Sequence, residues 1–359
     1  MTAPATPQPE ELPDVHEEAT NTGSTGAAAL GIAHRLGRYT LHTRLAMGGM
    51  AEVWLARQAG PAGFSKDLVV KRILPAFAHD EEFVDMFLNE ARLAAQLNHP
   101  NVVQIFDLGV EDGTYYIVME LISGCSLRLI DRGLRVRDLT VPLPILAKVL
   151  ADTCEGLHYA HELKDTAGRP LSLVHRDISP DNVLVSFDGV PKIVDFGIAR
   201  AATIPRLTRA GAMKGKYAYM SPEQLRGRPL DRRADVYSLG VVLYEILAGR
   251  KPCGTDEMGL LEAFADKPPV PLSEARPDAP AALVAVVEKA MAKQAADRYP
   301  DARAMGRDLK SFLRSLGDEG DVGVGEVAAF MHERFAGERA ALQSAIANAP
   351  VGDTSKDGG

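Results

Sequence analysis

The sequence predicts an α+β chain of two lobes, a small antiparallel β-sheet carrying one helix and then a larger, mainly helical half. Three observations predict it. Apolar residues alternate in short runs between residues 39 and 121. They recur at helical spacing in most of the chain beyond residue 126. The change of character happens once, with no internal repeat. Two halves of different character imply a cleft between them, the usual place for a ligand.

The elements are taken in chain order. Residues 1–38 are rich in Pro, Thr, Ala and Gly, and no Lys or Arg before Arg35 balances Glu10, Glu11, Asp14, Glu17 and Glu18. Such a segment cannot bury enough apolar surface to offset its chain entropy, so it is expected to be a disordered acidic tail. Residues 39–45 and 52–56, separated by Gly48-Gly49, read as a hairpin, and 68–73 as a third strand. Residues 83–97 have helical spacing and stop at Asn98-His99-Pro100. A second hairpin runs through 102–108 and 115–121 around Glu111-Asp112-Gly113. Long helices are expected at 145–163, 235–248 and 281–292, with strand pieces at 184–185 and 192–193 between the first two. Residues 327–347 read as one or two further helices, which either dock a partner or, the favoured reading, merely cap the large lobe, and 350–359 as a frayed end.

Composition removes several function classes. A hydrophobic share of 46% and a charged share of 25% exclude full disorder and a coiled coil. Forty basic against 48 acidic residues give a net charge of −8. Binding driven by phosphate neutralisation is therefore not expected, and no nucleic-acid partner is assigned. Cys125, Cys154 and Cys253 are odd in number and far apart, which suits a reducing compartment. The first residues carry Pro and Glu where a secretory leader needs a basic and then an apolar stretch. The apolar run at 239–247 carries Tyr and Glu and falls short of the ~20 residues of a membrane span. The expectation is a cytoplasmic chain without a membrane span.

The residues that carry chemistry form an ordered set. Val69-Val70-Lys71 closes a strand, and Glu90 sits inside the next helix. His175-Arg176-Asp177 is followed by Asn182, then Asp195-Phe196-Gly197, then Ser221-Pro222-Glu223. Any one of these is weak alone, but the set resembles the protein kinase family, specifically bacterial kinases of the eukaryotic-like serine/threonine type. The resemblance runs from about Tyr39 to about Leu313. It implies the bilobal kinase fold over 39–313, with a small lobe at about 39–120 and a large lobe at about 123–313. Residues 314–359 are then a helical extension and tail.

The resemblance also implies ATP, Mg²⁺ and a role for each residue. Phosphoryl transfer needs the triphosphate held in line and its charge neutralised, with little covalent help. Lys71 would reach the α- and β-phosphates, and Glu90 would fix its direction. Asn182 and Asp195 offer the hard oxygens that Mg²⁺ prefers. Asp177 would orient an acceptor hydroxyl and take its proton. Leu45, Ala46, Met47, Gly48, Gly49, Met50, Ala51, Glu52 and Val53 stand where the family's glycine loop covers the phosphates. Met119 falls where the lobes join, so backbone groups of Glu120 and Ile122 would meet the adenine edge, with Val53, Val69 and Leu184 on its faces. Glu223 and Arg298 match a buried ion pair, and Asp235 a residue that holds the catalytic-loop backbone.

Three positions depart from the family pattern. Ala46 replaces the first loop glycine, which should stiffen the entry to the loop. Ser179 stands where serine/threonine members carry Lys, and Lys216 where they carry Thr. The pair suggests a swap, in which Lys216 returns the ammonium that Ser179 lacks. Residues 198–217 hold Arg200, Arg206, Arg209, Lys214 and Lys216 with no acidic residue. Thr208 or Thr203 would there be phosphorylated and ordered by Arg176. The function implied is ATP-dependent phosphorylation of protein serine and threonine, with protein substrates as partners and self-association for phosphorylation in trans. The rivals are a pseudokinase that signals by conformation and a small-molecule phosphotransferase.

Overall fold

Tyr39 opens the second strand of the chain, not the first. The computed structural model describes residues 34–196, 216–253 and 269–349. In it β1 (His34–Leu36) pairs antiparallel with β2 (Tyr39–Met47), and Leu36 is buried beside Tyr39 and Leu41. The tail expected to reach residue 38 is corrected at its end, because Leu36 has apolar neighbours to bury against. The rest of that tail and the end from 350 onward lie outside the described residues.

β3 (Ala51–Ala59), β4 (Ser65–Ile73), β5 (Ile105–Glu111) and β6 (Thr114–Glu120) complete a six-stranded sheet in the order β1-β2-β3-β4-β6-β5. Side chains alternate between its faces. Leu68, Val70, Tyr116 and Val118 pack with Leu36, Tyr39 and Leu41 on one face. Val69, Ile73, Ile117 and Met119 pack on the other with Phe83, Val84, Phe87 and Ala91 of α1 (Glu81–Ala94). Lys71 lies between Val69 and Ile73, so the same alternation turns it toward α1. That helix starts where Asp80 accepts a hydrogen bond from the Phe83 backbone N–H at 3.2 Å, with Glu81 and Glu82 in its first turn.

A second sheet of three short strands, β7 (Gly124–Ser126), β8 (Val183–Ser186) and β9 (Pro191–Ile193), floors the cleft. Around it stand α2 (Leu127–Arg135), α3 (Leu143–His161), α4 (Pro222–Leu225) and α5 (Arg233–Ala248). Further out lie α6 (Leu272–Ala275), α7 (Ala281–Ala290) and α8 (Ala302–Ser315). α5 is buried almost all round and carries Val236, Leu239, Val241, Val242 and Leu243 at 0% exposure, which makes it the axis of the large lobe. No helix among the described residues is long and apolar enough to cross a membrane.

The expected helical extension is two helices, α9 (Val324–Arg334) and α10 (Ala336–Ala347). α9 caps the large lobe through fully buried Val327 and Met331. α10 goes further, because the carbonyls of Ile346 and Ala349 accept hydrogen bonds from Arg57 of β3. The expectation that the extension caps the large lobe alone is corrected by that contact.

Arg298 closes the base of the large lobe. Its guanidinium donates to both carboxylate oxygens of Glu223, at 2.7 and 2.9 Å, and to the backbone carbonyls of Ala292, Arg233 and Lys293. Burial pushes the Glu223 carboxyl up, but the hydrogen bonds from Arg298 win and hold it below its ordinary value. Glu223 therefore stabilises the fold at neutral pH and loses that contribution as pH falls through its lowered folded-state value. Removing Arg298 strands a buried carboxylate, so Arg298→Met should cost roughly 3–5 kcal/mol in denaturant unfolding at pH 7. The deficit should shrink as the measurement is repeated at lower pH.

Candidate functional site

One ammonium joins three separate pieces of chain. Lys71 Nζ of β4 lies 2.8 Å from Asp195 Oδ1 and 3.4 Å from Glu90 Oε1 of α1. Glu90 falls on the buried face of its helix with Phe83, Phe87, Ala91 and Ala94. A carboxylate on an apolar face needs a partner, and Lys71 is in reach. Behind the trio is a small cavity lined by Ala94, Val103, Ile105, Ile117, Met119 and Phe196.

The charges in the trio are unequally shared. Burial alone would make Lys71 give up its proton, but Asp195 and Glu90 more than reverse this and keep it an ammonium. Burial raises the Glu90 carboxyl to about 7, because the lowering influence of Lys71 does not offset desolvation and the nearby Asp195 charge. Asp195 has the shorter contact and the greater exposure, and it takes the larger part of the cation.

The loop before β8 is fixed through its backbone. Asp235, at 0% exposure on α5, accepts from the His175 N–H at 2.7 Å, the Arg176 N–H at 2.8 Å and His161 Nε2 at 2.7 Å. Burial would raise its carboxyl, but these partners hold it below the ordinary range. Arg176 and Asp195 both have positive φ, 67° and 57°, a conformation that L-residues avoid unless neighbours hold it. His175 helps to hold both. Its ring meets the Phe196 ring at 4.6 Å, Nε2 hydrogen-bonds the Val194 carbonyl at 3.0 Å, and Nδ1 accepts from the Asp177 N–H at 3.2 Å. Gln224 Nε2 donates to the Arg176 carbonyl at 2.7 Å, tying α4 to the same loop.

Asp177 and Asn182 meet directly. Asn182 Nδ2 donates at 2.8 Å to both the backbone carbonyl and Oδ2 of Asp177. With its nitrogen committed, Asn182 has Oδ1 left as the atom able to meet a cation. That oxygen and the Asp195 carboxylate are hard donors of the kind Mg²⁺ takes together with phosphate and water, so the residues present fit the ion. No group of three or more His, Cys, Asp or Glu placed to hold a metal exists among the described residues. Two protein ligands plus phosphate suits a metal that arrives with its nucleotide.

The glycine hairpin and the linking segment divide their atoms differently from a simple motif reading. β2 continues through Leu45, Ala46 and Met47, with Ala46 paired to Val53, and the turn is closed by the Gly48 N–H donating to the Ala51 carbonyl at 2.8 Å. Met50 and Val53 pack toward Ile73 and Val69 beneath the sheet. The Glu52 side chain points to the other face, paired with Arg72 and 4.0 Å from Arg44, so what Glu52 offers the hairpin is backbone. The Glu120 N–H donates to the Gln104 carbonyl at 2.9 Å, and its carboxylate binds Lys192 at 2.8 Å. Ile122 is half-buried two residues on, Val69 is buried, and Val53 and Leu184 are half-buried.

Several expectations fall outside the described residues: Gly197, Thr203, Thr208 and the Lys216 side chain. Ser179 is described, buried at 1% exposure, and its hydroxyl has no hydrogen-bond partner among the described residues. Sequence reasoning missed His161, Gln224 and Arg128. Arg128 Nη1 donates to Glu245 Oε1 at 2.8 Å and also reaches Tyr219 and Asp181, bracing the loop from the side. The helical spacing of Leu127, Ile130 and Leu134 was the available signal for α2, but nothing in it marks Arg128.

A model of the protein kinase domain matches residues 39–313. A curled sheet whose lysine meets a helix glutamate and an aspartate from across the cleft is the arrangement that family shares, and the chain belongs to the protein kinase family. It is similar to tyrosine-protein kinase MasK of Myxococcus xanthus, 44% identical over 328 residues, covering 90% of this chain and 50% of that one. Serine/threonine-protein kinase PknB of Mycobacterium leprae is 38% identical over 282 residues, covering 77% and 43%. The chain thus spans about half the length of the curated relatives it matches. Among solved structures, the Mycobacterium tuberculosis PknI kinase domain superposes with a TM-score of 0.60 at 28% identity, covering 79% of this chain and 98% of that one. PpkA-294 in its apo form, at TM-score 0.63 and 22% identity over 78% and 99%, shares the fold.

The Glu90 value makes a testable statement about pH. Its folded-state pKa of about 7 lies above the ordinary 4.5, so the folded protein holds this proton more tightly than the unfolded chain does. The Glu90 contribution to stability therefore declines as pH rises from about 4.5 to about 7 and levels above. An infrared titration should lose one carboxylic-acid band with a midpoint near 7, and Glu90→Gln should lack that band. A Glu90 band titrating with its midpoint below 5 would overturn this assignment.

Proposed function

We propose that the chain transfers the γ-phosphate of ATP to serine and threonine hydroxyls of protein substrates, with Mg²⁺, and that it phosphorylates itself in trans. The observation that carries the reading is the joined trio of Lys71, Glu90 and Asp195 beside the Asp177–Asn182 pair. In this reading Lys71 holds phosphate, aimed by Glu90, and the backbone of residues 45–53 covers it. Asp177 orients the acceptor hydroxyl and accepts its proton. Mg²⁺, held by Asn182 and Asp195, supplies the positive charge that phosphoryl transfer needs. The base is met by the Glu120 carbonyl and the Ile122 backbone.

The intact Lys71, Asp177, Asn182 and Asp195 speak against a pseudokinase. The three unpaired thiols, two buried and one half-buried, suit a cytoplasmic site of action, which belongs to the same proposal. A second reading concerns the hydroxyl. MasK is named a tyrosine kinase, and Ser179 removes the lysine that serine/threonine members carry beside the base. Tyrosine as acceptor is therefore the alternative to test.

The test is transfer of labelled phosphate from ATP and Mg²⁺ to the protein itself and to a generic protein substrate. Asp177→Asn should lower it by about 10²–10⁴-fold. Phosphoamino-acid analysis should return phosphoserine or phosphothreonine; phosphotyrosine alone would transfer the proposal to the second reading. Nucleotide binding without any transfer would leave a pseudokinase.

The swap between Ser179 and Lys216 is tested by a double-mutant cycle. Ser179→Lys and Lys216→Thr should each lower kcat, and the double variant should recover much of the loss. Additive losses would dismiss the swap.

A further inference from the structure

The geometry points to the last two helices as a clasp between the lobes, and to Arg57 as a positioning residue for phosphoryl transfer that acts through it. The inference rests on the kinase reading above.

The clasp is anchored on the large lobe by close backbone contact. Gly189, in the β8–β9 turn with φ of +85°, lies so near α9 that a Cβ would stand 2.1 Å from the Val324 carbonyl oxygen. Phe335, between the two helices, is fully buried and packs over Gly133 of α2. Arg137 Nη1 donates to the Arg334 carbonyl at 2.9 Å. From this base α10 passes β7, just beyond the segment that links the lobes. Its end reaches the small lobe.

There a single guanidinium receives it. Arg57 Nη2 donates to the Ile346 carbonyl and Nη1 to the Ala349 carbonyl, each at 2.8 Å, and Nε donates to Asp67 Oδ1 at 2.7 Å. The Arg57 side chain is 11% exposed. The Ile346 carbonyl, in the last turn of α10, also accepts from the Ala349 N–H at 3.2 Å, and the Ala349 carbonyl lies two residues beyond the helix; the partial negative charge at a helix C-terminus favours a cation there. The planar fork of arginine meets both carbonyls at once, which a lysine cannot do.

The grip falls on the two strands that carry the site. Arg57 and Asp67 are opposite each other in the β3–β4 ladder, and four residues along the same ladder Val53 is opposite Lys71. Four residues of strand span about 13 Å, and paired strands transmit orientation over that distance. Holding one end of the ladder therefore sets the angle at which Lys71 and the hairpin stand over Asp177, Asn182 and Asp195. Without the clasp, fewer molecules hold the nucleotide-competent arrangement, and apparent nucleotide affinity falls by that fraction.

The experiment compares the full chain with Arg57→Ala and Arg57→Lys. Three readouts are taken: the Kd for Mg²⁺-ATP by calorimetry, KM and kcat for ATP, and hydrogen exchange of residues 336–349. For Arg57→Ala the Kd and KM should rise about five-fold while kcat at saturating ATP stays within about two-fold. Exchange in α10 should quicken while α5 stays protected. Arg57→Lys, which keeps the charge but not the fork, should fall between wild type and Arg57→Ala, and it carries the test should the alanine variant not fold. Faster α10 exchange with unchanged nucleotide affinity would overturn the inference, as would loss of kcat with KM unchanged, the mark of a merely structural role. No change in any readout would overturn it too. Calorimetry needs no transfer, so a wild-type chain that binds ATP without transferring phosphate would fail the kinase reading while the clasp is still judged.

Discussion

The structure turns on one cation shared by two carboxylates. A lysine on a sheet, buried to 15% exposure, cannot keep its charge without partners, and a glutamate on the apolar face of α1 cannot either. Each supplies what the other lacks, and the helix is thereby drawn against the sheet by electrostatics as well as by Phe83 and Phe87. Adding Asp195 changes the balance. Burial raises the Glu90 carboxyl, and with two carboxylates on one ammonium Lys71 does not reverse that rise. A nucleotide's phosphates would be competitors for the same ammonium. In the proposed function, the phosphates would meet Lys71 where Asp195 now lies 2.8 Å from it.

The second constraint is strain held from below. Arg176 and Asp195, on either side of the Asp177–Asn182 pair in sequence, hold a conformation that costs of order 1–3 kcal/mol each when nothing supports it. Asp235 supports the first by taking two consecutive backbone N–H groups, and His175 supports the second through the Val194 carbonyl and the Phe196 ring. Both supports descend from α5, the most buried helix of the large lobe. The hydrophobic core thus does more than hold the lobe together. It fixes the floor on which Asp177 and Asn182 stand, while the sheet above carries the cation.

Much of this was legible in the sequence. Alternation and helical spacing located most of the long elements to within a few residues, since each buries one face and so writes its period into the chain, but α8 (Ala302–Ser315) was not singled out. They failed for β1 and β7, because three residues hold no period, and α2 went unnamed although Leu127, Ile130 and Leu134 carry helical spacing. The ordered set from Lys71 to Glu223 named the residues that the fold brings together. It did not reveal how one ammonium divides between Glu90 and Asp195, or that Glu52 turns away from the hairpin toward Arg72, since both depend on register across strands. The reach of α10 to Arg57 was invisible for a different reason. Its acceptors are backbone carbonyls, which every residue carries.

The departures from the family pattern differ in kind once their surroundings are known. Ala46 stands where glycine loops are flexible, yet it is laddered with Val53, as its neighbour Ala51 is with Ile73. No residue from 45 to 53 has a positive φ. A methyl group there meets no backbone demand that only glycine could satisfy, and what changes is that the hairpin is stiffer up to its tip at Gly48 and Gly49. Ser179 is another matter. A buried hydroxyl without a partner among the described residues costs about 1–3 kcal/mol. Two residues from Asp177, such a group is offset by stability elsewhere in the lobe, and it would gain a partner if a donor or acceptor entered the site. The backbone departures are therefore compatible with unchanged chemistry, whereas Ser179 is a buried side-chain departure two residues from Asp177, to which the proposed function gives the acceptor hydroxyl.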